Sequence, residues 1–326
     1  MTQTVLILGA TGKIGSHAAQ AFMNAGWTVR RYDRGSDMTQ AAMGADVIVN
    51  GLNPPAYHDW ENTIPAITQQ VVAAAKASGA TVVIRGNVYN FGAKGGELNE
   101  DTPQAPVTRK GRVRVVLEQS FAASGVQTIV LRAGSFIDPM RNGDAMSMMM
   151  LRDVRKPKLT AMGPSDVLHA YCYLPDWARA AVALAEMRAE LTNFEDVPFP
   201  GHAFSINDFK AVLDDATGKT YGVSAFPWWV FTVLSPVWEL AREMREMHYL
   251  WNMSHWIGAA KFDRLLPGFR AINVREVMLA GLPADVHPDK TVRTSPDDPT
   301  HVSVPFPYTV PSIEGTFQEL YYWDTY

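Results

Sequence analysis

Apolar positions alternate between short continuous runs and helical faces over the first two hundred residues. Val5-Leu6-Ile7-Leu8 is an unbroken apolar run, after which Ile14, Ala18, Phe22 and Ala25 recur at helical spacing, Gly26 offers a stop, and Trp27 to Tyr32 is again strand-like. The same reading predicts strands over 4–8, 27–32, 46–50, 81–85 and 128–132, and helices over 13–25, 60–78 and 112–124. Strands alternating with helices imply an α/β fold, a doubly wound parallel sheet with right-handed crossovers.

Beyond Arg132 the alternation weakens. Residues 135–170 read as a loop and a Met-rich helix around Met146, Met148, Met149 and Met150, and Asp176 reads as the cap of a helix over 177–189. The pattern divides the chain into a main domain of 1–134 and 171–199 and a smaller C-terminal lobe of 135–170 and 200–326, assigned to substrate. The lobe is aromatic, with Trp228, Trp229, Trp238, Trp251 and Trp256. Its most apolar run, Phe226 to Trp238, contains Pro236 and is too short to span a bilayer, so it reads as a buried or interface segment. From Leu282 onward periodicity gives way to prolines, the signature of an extended arm, and Tyr321, Tyr322, Trp323 and Tyr326 are apolar enough to dock on the lobe or on a partner subunit.

Composition narrows the classes. The chain has 326 residues, 47% of them hydrophobic, and a net charge of −4, ample for a buried core and without the basic footprint of a nucleic-acid binder. Arg109, Lys110, Arg112 and Arg114 are too local to change that. One cysteine, Cys172, excludes an internal disulfide framework, and the first strand begins at residue 4, so a cytoplasmic protein without membrane attachment is expected.

The chemistry begins where the first strand ends. Gly9, Gly12 and Gly15 are spaced three apart between a strand and a helix, which is the arrangement that permits a tight turn, close approach of backbone to a pyrophosphate, and tight helix-to-sheet packing. Free N–H groups and the helix dipole favour phosphate at that helix start. Gly9, Thr11, Gly12, Lys13, Ile14 and Gly15 are therefore expected to bind a dinucleotide. Asp33 follows the second strand, about eighteen residues past Gly15, where a carboxylate accepts hydrogen bonds from ribose hydroxyls and favours NAD. Arg34, with Arg30 and Arg31 upstream, can instead pair with a 2′-phosphate, so NADP stays open. Gly51, Leu52 and Asn53, beyond the strand over 46–50, are expected to line the same cofactor. The Met cluster reads as core or as an adaptable substrate wall. His248 and His255 have no carboxylate or third ligand at metal spacing, and no metal is expected.

Together these residues resemble the extended short-chain dehydrogenase/reductase superfamily, the NAD-dependent epimerases, dehydratases and reductases. The resemblance runs over roughly residues 1 to 275 and is carried by Gly9 to Gly15, Asp33, Asn87-Val88-Tyr89-Asn90-Phe91-Gly92, the Glu100 to Glu118 segment, Leu131 to Pro139 and Tyr171 to Asp176. It implies a Rossmann-type fold, a small-molecule substrate that is a sugar, a nucleotide sugar or an apolar carbonyl compound, and a homodimer packed through sheet-flanking helices. Members usually carry a serine or threonine after the central strand and a Tyr-x-x-x-Lys pair on the next helix. This chain departs there. With Gly111 and Glu118 matched to the pattern, Lys110 stands at the tyrosine position and Arg114 at the lysine position, while Arg85-Gly86-Asn87 replaces the hydroxyl region. Lys110 is then the expected acid/base, Arg114 the clamp on the cofactor ribose, and Asn87 with Tyr89 the groups that polarise a substrate carbonyl. His169 and Tyr171 lie on a segment that borders the cleft in the family and are the expected substrate contacts. Loss of the serine and tyrosine also admits another class, a dinucleotide-binding redox sensor without turnover.

Overall fold

The computed structural model describes residues 2–54, 58–140 and 143–288. Its first strand, β1 (Thr4–Leu8), shows why the apolar run is continuous: Val5 and Ile7 enter one core and Leu6 and Leu8 another, so both faces of the strand are covered. Then follow α1 (Lys13–Asn24), β2 (Thr28–Arg31), α2 (Met38–Ala42), β3 (Val47–Asn50), α3 (Trp60–Ser78), β4 (Thr81–Asn87), β5 (Gly96–Leu98), α4 (Arg109–Ser124) and β6 (Thr128–Ala133). The second half contributes β7 (Ser135–Ile137), β8 (Lys158–Ala161), β9 (His169–Tyr173), α5 (Leu174–Glu186), β10 (Phe194–Pro198), β11 (His202–Phe204) and α6 (Ile206–Thr217). It ends with β12 (Gly222–Ala225), α7 (Trp228–Leu234), α8 (Glu239–Glu246), β13 (His255–Ile257), α9 (Ala260–Leu265) and α10 (Val274–Ala280).

Six parallel strands form the central sheet in the order β10-β6-β4-β3-β1-β2. Ile14, Ala18 and Phe22 of α1 pack with Trp177, Ala181 and Leu184 of α5 on one face, and Trp60, Ile64 and Val71 of α3 with Leu117 and Phe121 of α4 on the other. The chain leaves β1 for β2 on one side and returns to β3 on the other, so the loops after β1 and β3 diverge and open a crevice between them. Arg132, fully buried in β6, ties three parts of this edge together. Its guanidinium meets Glu118 of α4 at 2.8 Å and Asp196 of β10 at 2.6 Å, and donates to the Asn87 carbonyl at the end of β4 at 2.8 Å. Those two carboxylates hold the guanidinium pKa above its ordinary value although burial opposes it.

The C-terminal segments add a second apolar cluster in which Met146, Met149 and Met150 meet Tyr171, Phe204, Phe209 and Met244. The Met segment is a single π-helical turn, Met146–Met150, and residues 135–170 contain two short strands and the start of a third that their apolar spacing did not reveal. Asp176 is corrected from a cap to a residue within the first turn of α5, which starts earlier, with Pro175 in the leading turn. Its carboxylate accepts from Arg179 at 2.6 Å and from the Ile272 backbone N–H at 2.8 Å. The apolar run 226–238 is two-sided: Phe226 and Phe231 are buried, whereas Trp229, Val233 and Val237 are exposed. The arm expected from Leu282 onward lies, from residue 289, outside the described residues. Among the described residues no helix is long and apolar enough to cross a membrane.

Candidate functional site

The crevice at the carboxyl edge of the sheet opens into a cleft of about 1350 Å³, counting its mouth. One end is made of backbone. Gly9 sits at φ +71°, and its carbonyl accepts from the Gly12 N–H at 2.9 Å. A Cβ on Gly15 would stand 2.1 Å from the Gly9 carbonyl oxygen, and one on Gly51 would stand 2.9 Å from that of Leu8. No side chain fits at either place, so the loops after β1 and β3 touch main chain to main chain. α1 starts at this point with Gly12 as its N-cap, no side-chain cap and no acidic residue in its first turn. Gly12, Lys13 and Ile14 line the cleft, which leaves the helix start facing it. Lys13 reaches across to donate to the Gly143 carbonyl at 2.9 Å. Beside it the buried Asp144 has its carboxyl pushed upward by desolvation, against hydrogen bonds from Ser147 and the nearby Lys13 charge.

The expected cofactor residues fall around this end. Gly9, Gly12, Lys13, Ile14, Arg34, Gly51 and Asn53 line the cleft; Gly15 and Leu52 support its loops, the Leu52 N–H donating to Asn50 Oδ1 at 3.1 Å. Thr11 is exposed beside the loop. Asp33 is exposed just past β2, where its carbonyl accepts from the Ser36 N–H and hydroxyl.

Side chains build the other end. Asn87 and Tyr89, at and just beyond the end of β4, both line it, and Asn87 Oδ1 accepts from the Tyr89 N–H at 3.2 Å. Asn53 Oδ1 accepts from Arg85 at 2.6 Å and from Arg114 at 2.9 Å, and the Arg114 guanidinium lies 4.6 Å from the centre of the Trp60 ring. Arg114 thus reaches the Asn53 loop rather than appearing on the cleft lining. On the facing side Ser135 Oγ is 2.8 Å from His169 Nε2. The imidazole is stacked on Trp251 at 3.9 Å and 5°, and meets His255 edge-on at 4.6 Å. Burial, with His255 adding to it and the Leu250 carbonyl opposing, holds the His169 pKa well below the ordinary histidine value, so the ring is neutral near pH 7. Tyr171 packs behind, stacked on Phe204 at 4.1 Å with its hydroxyl directed to Met150 Sδ, and is not on the lining.

Lys110 does not line the cleft. It is 1% exposed, and its Nζ meets Glu243 Oε2 at 2.6 Å and Glu246 Oε2 at 3.1 Å, and donates to the Glu243 carbonyl at 2.7 Å. Thr108 caps α4 by accepting from the Gly111 N–H, which starts the helix three residues before the expected 112 and turns Lys110 toward α8. Glu243 also accepts from Arg109; burial raises its pKa, but the Lys110 and Arg109 charges outweigh that and hold it below the usual carboxylate range. Lys110, the expected acid/base, thus links α4 to α8 through these contacts. Met244 of α8, with Met247, Leu250 and Trp251 just after it, forms one wall of the cleft.

The lining residues not expected from sequence are Ser135, Arg85, Met244, Met247 and Leu250. Ser135 stood inside the Leu131 to Pro139 segment that carried the resemblance, but its bond to His169 spans thirty-four positions and no local pattern reports it.

The profile of the NAD dependent epimerase/dehydratase family matches residues 5–197. Among solved structures, MoeE5 in complex with UDP-glucose and NAD aligns with a TM-score of 0.68 and 16% identity, covering 89% of this chain and 99% of its own. UDP-glucuronic acid 4-epimerase from Bacillus cereus, in complex with UDP-glucuronic acid and NAD, gives 0.67 and 16%, covering 90% and 100%. WbmH from Bordetella bronchiseptica, in complex with NAD+, gives 0.63 and 14%, covering 86% and 97%. A comparison with curated protein sequences gave no significant match. With more than half its length matched by the family profile and a glycine-lined crevice at the switch point of its sheet, the chain belongs to the NAD-dependent epimerase/dehydratase family.

Proposed function

We propose that the cleft binds a nicotinamide dinucleotide and that the chain catalyses hydride transfer at a carbonyl or hydroxyl carbon of a small substrate. The observation that carries this reading is the pairing of an uncapped helix start, packed main chain to main chain, with a cluster of polar side chains at the far end of the same cleft. Gly9, Gly12, Lys13 and Ile14 would hold the pyrophosphate, and Gly51 and Asn53 the middle of the cofactor. Asp33 favours NAD through the adenosine ribose, while Arg34 on the lining leaves NADP as the second choice. The similar structures described above were solved with NAD, which agrees with that order. When bound, the cofactor donates or accepts the hydride.

The chain's own residues orient the substrate and handle its proton. Asn87 and Tyr89 meet the substrate from the β4 side, and the Ser135 hydroxyl, bonded to His169, is the proton group in place of the absent tyrosine. Lys110 acts through Glu243 and Glu246 to position α8, and residues 135–170 and 200–326 supply the substrate lobe. A cytoplasmic homodimer remains the expected assembly, which sedimentation of the purified protein checks.

The absence of the family's hydroxyl at Asn87 and of its tyrosine at Lys110 favours a second reading, a redox sensor that binds the dinucleotide without turnover. Calorimetric titration with NAD, NADH, NADP and NADPH, followed by a carbonyl and nucleotide-sugar screen for nicotinamide oxidation, separates the two. The first reading expects binding and turnover, with Ser135→Ala lowering kcat by about a hundredfold or more at unchanged cofactor affinity. Binding of one redox form without turnover on any compound favours the sensor, and no binding of any form removes both.

A further inference from the structure

Charge is met unevenly along the carboxyl edge of the sheet. On β6 the buried Arg132 sits between Glu118 and Asp196, each within 2.8 Å. One strand over, Arg85 of β4 pairs in register with Leu131, is half-buried and lines the cleft. Among the described residues it has no carboxylate partner, and its side chain makes one hydrogen bond, to Asn53 Oδ1 at 2.6 Å. A guanidinium carries five N–H donors and a permanent charge. A charge drawn partly out of water is stabilised by an opposite one, and here the protein does not supply it.

The cleft as a whole leans the same way. Its described lining holds Lys13, Arg34 and Arg85 against one carboxylate, Asp144, whose carboxyl is pushed upward by burial. A dinucleotide accounts for the first two cations. Lys13 stands at the start of α1, where the pyrophosphate would lie, and Arg34 follows β2 on the adenosine side. Arg85 is left over, on the strand that ends in Asn87 and leads to Tyr89.

We propose that Arg85 is the seat for an oxyanion group of the substrate, a carboxylate or a phosphate, and so selects an acidic carbonyl or hydroxyl compound. This rests on the hydride-transfer reading above and names its substrate class. Asn53 Oδ1, held by both Arg85 and Arg114, fixes part of the Arg85 guanidinium and leaves its remaining N–H groups for the two-point contact that arginine makes with an oxyanion. Arg85 and Asn87 are two strand residues apart, roughly 7 Å along the chain, and such residues share a face of the strand. An acid seated on Arg85 therefore brings a carbon one short ring or chain away from its charge to the Asn87 side chain.

The test titrates the protein, saturated with NADH, by calorimetry with two matched pairs: 4-oxocyclohexanecarboxylate against cyclohexanone for a carboxylate, and glucose 6-phosphate against glucose for a phosphate. At least one acid is expected to bind about tenfold or more tighter than its neutral counterpart, and the one that does so names the oxyanion. Arg85→Gln is expected to abolish that difference with thermal melting confirming the fold, and with NADH affinity unchanged because Arg114 still holds Asn53. Arg85→Lys, which keeps the charge without the planar fork, is expected to fall between the two proteins. Neither acid bound tighter than its counterpart, a preference undiminished in both variants, or NADH affinity that falls in Arg85→Gln overturns the proposal, the last by placing Arg85 on the cofactor. NADH affinity of the unaltered protein is read first. Its absence would overturn the hydride-transfer reading, whereas NADH binding without preference for an acid overturns the substrate class alone.

Discussion

At the glycine end of the cleft, Gly9, Gly15 and Gly51 bring main chain against main chain, whereas toward the other end α4, β7, β9 and α8 contribute side chains that meet across up to 136 positions. The first end is held by steric exclusion, because a single Cβ would collide with a carbonyl. The second is held by charge: Lys110 and Arg109 fix Glu243, and α8 with its apolar wall follows. The difference teaches that close backbone packing is set by local sterics, whereas the wall at the other end depends on a buried ion pair between distant parts of the chain.

Breaking the charged end has the largest expected effect. Lys110→Met leaves Glu243, 1% exposed, without its closest amine, and removal of one partner from a buried pair typically costs about 3–5 kcal/mol. Chemical denaturation of that variant measures it, and Glu243→Leu added to Lys110→Met is expected to restore much of the loss. If Lys110 were the acid/base instead, the single variant would keep its stability and lose only turnover.

Breaking the steric end comes next. Gly15→Ala drives a Cβ to 2.1 Å from the Gly9 carbonyl oxygen, and overpacking of this kind costs about 1–3 kcal/mol. The variant is expected to lose dinucleotide binding as its loop shifts. Normal NAD affinity in Gly15→Ala would show that the loop does not hold the cofactor. Smaller again is Asp33→Ala, which removes charge-assisted hydrogen bonds to a ribose and is expected to weaken NAD about tenfold, measured by calorimetry. NADP is expected to lose less, since the carboxylate would repel a 2′-phosphate.

The two ends also differ in how far the amino-acid pattern exposes them. Glycine spacing between an apolar run and a helical face is local, so Gly9 to Gly15 and five of the six sheet strands could be placed from neighbours alone, whereas β10 (Phe194–Pro198) was not. Lys110 could not, because four-residue spacing to Arg114 suggested a shared face toward the cofactor, and only Glu243, far along the chain, decides where the ammonium goes. The same holds for Asp176, whose carboxylate looks like a cap until Ile272 is brought beside it. Met146 to Met150 were legible as a cluster but not as a π-helical turn, since apolar content does not distinguish the hydrogen-bond step.

The smallest expected effect concerns protons. Burial holds His169 and His255 below the ordinary histidine pKa, so the unfolded chain takes up protons below about pH 6.5 that the folded chain refuses. Their contribution is therefore fully present above that pH and is lost as pH falls. Thermal melting from pH 7.5 to 5 is expected to show falling stability, with a shallower slope in His169→Gln. An equal slope in the variant would mean that the folded protein accepts the proton.

Hydrogen exchange with and without NAD tests the division of the cleft most directly. Slowed exchange is expected at the backbone of Gly9–Gly15 and Gly51–Asn53, with the α8 segment 239–251 little changed until a substrate is added. Slowing confined to 239–251, or none at all in a protein shown to bind NAD, would contradict the placement of the dinucleotide on the glycine loops.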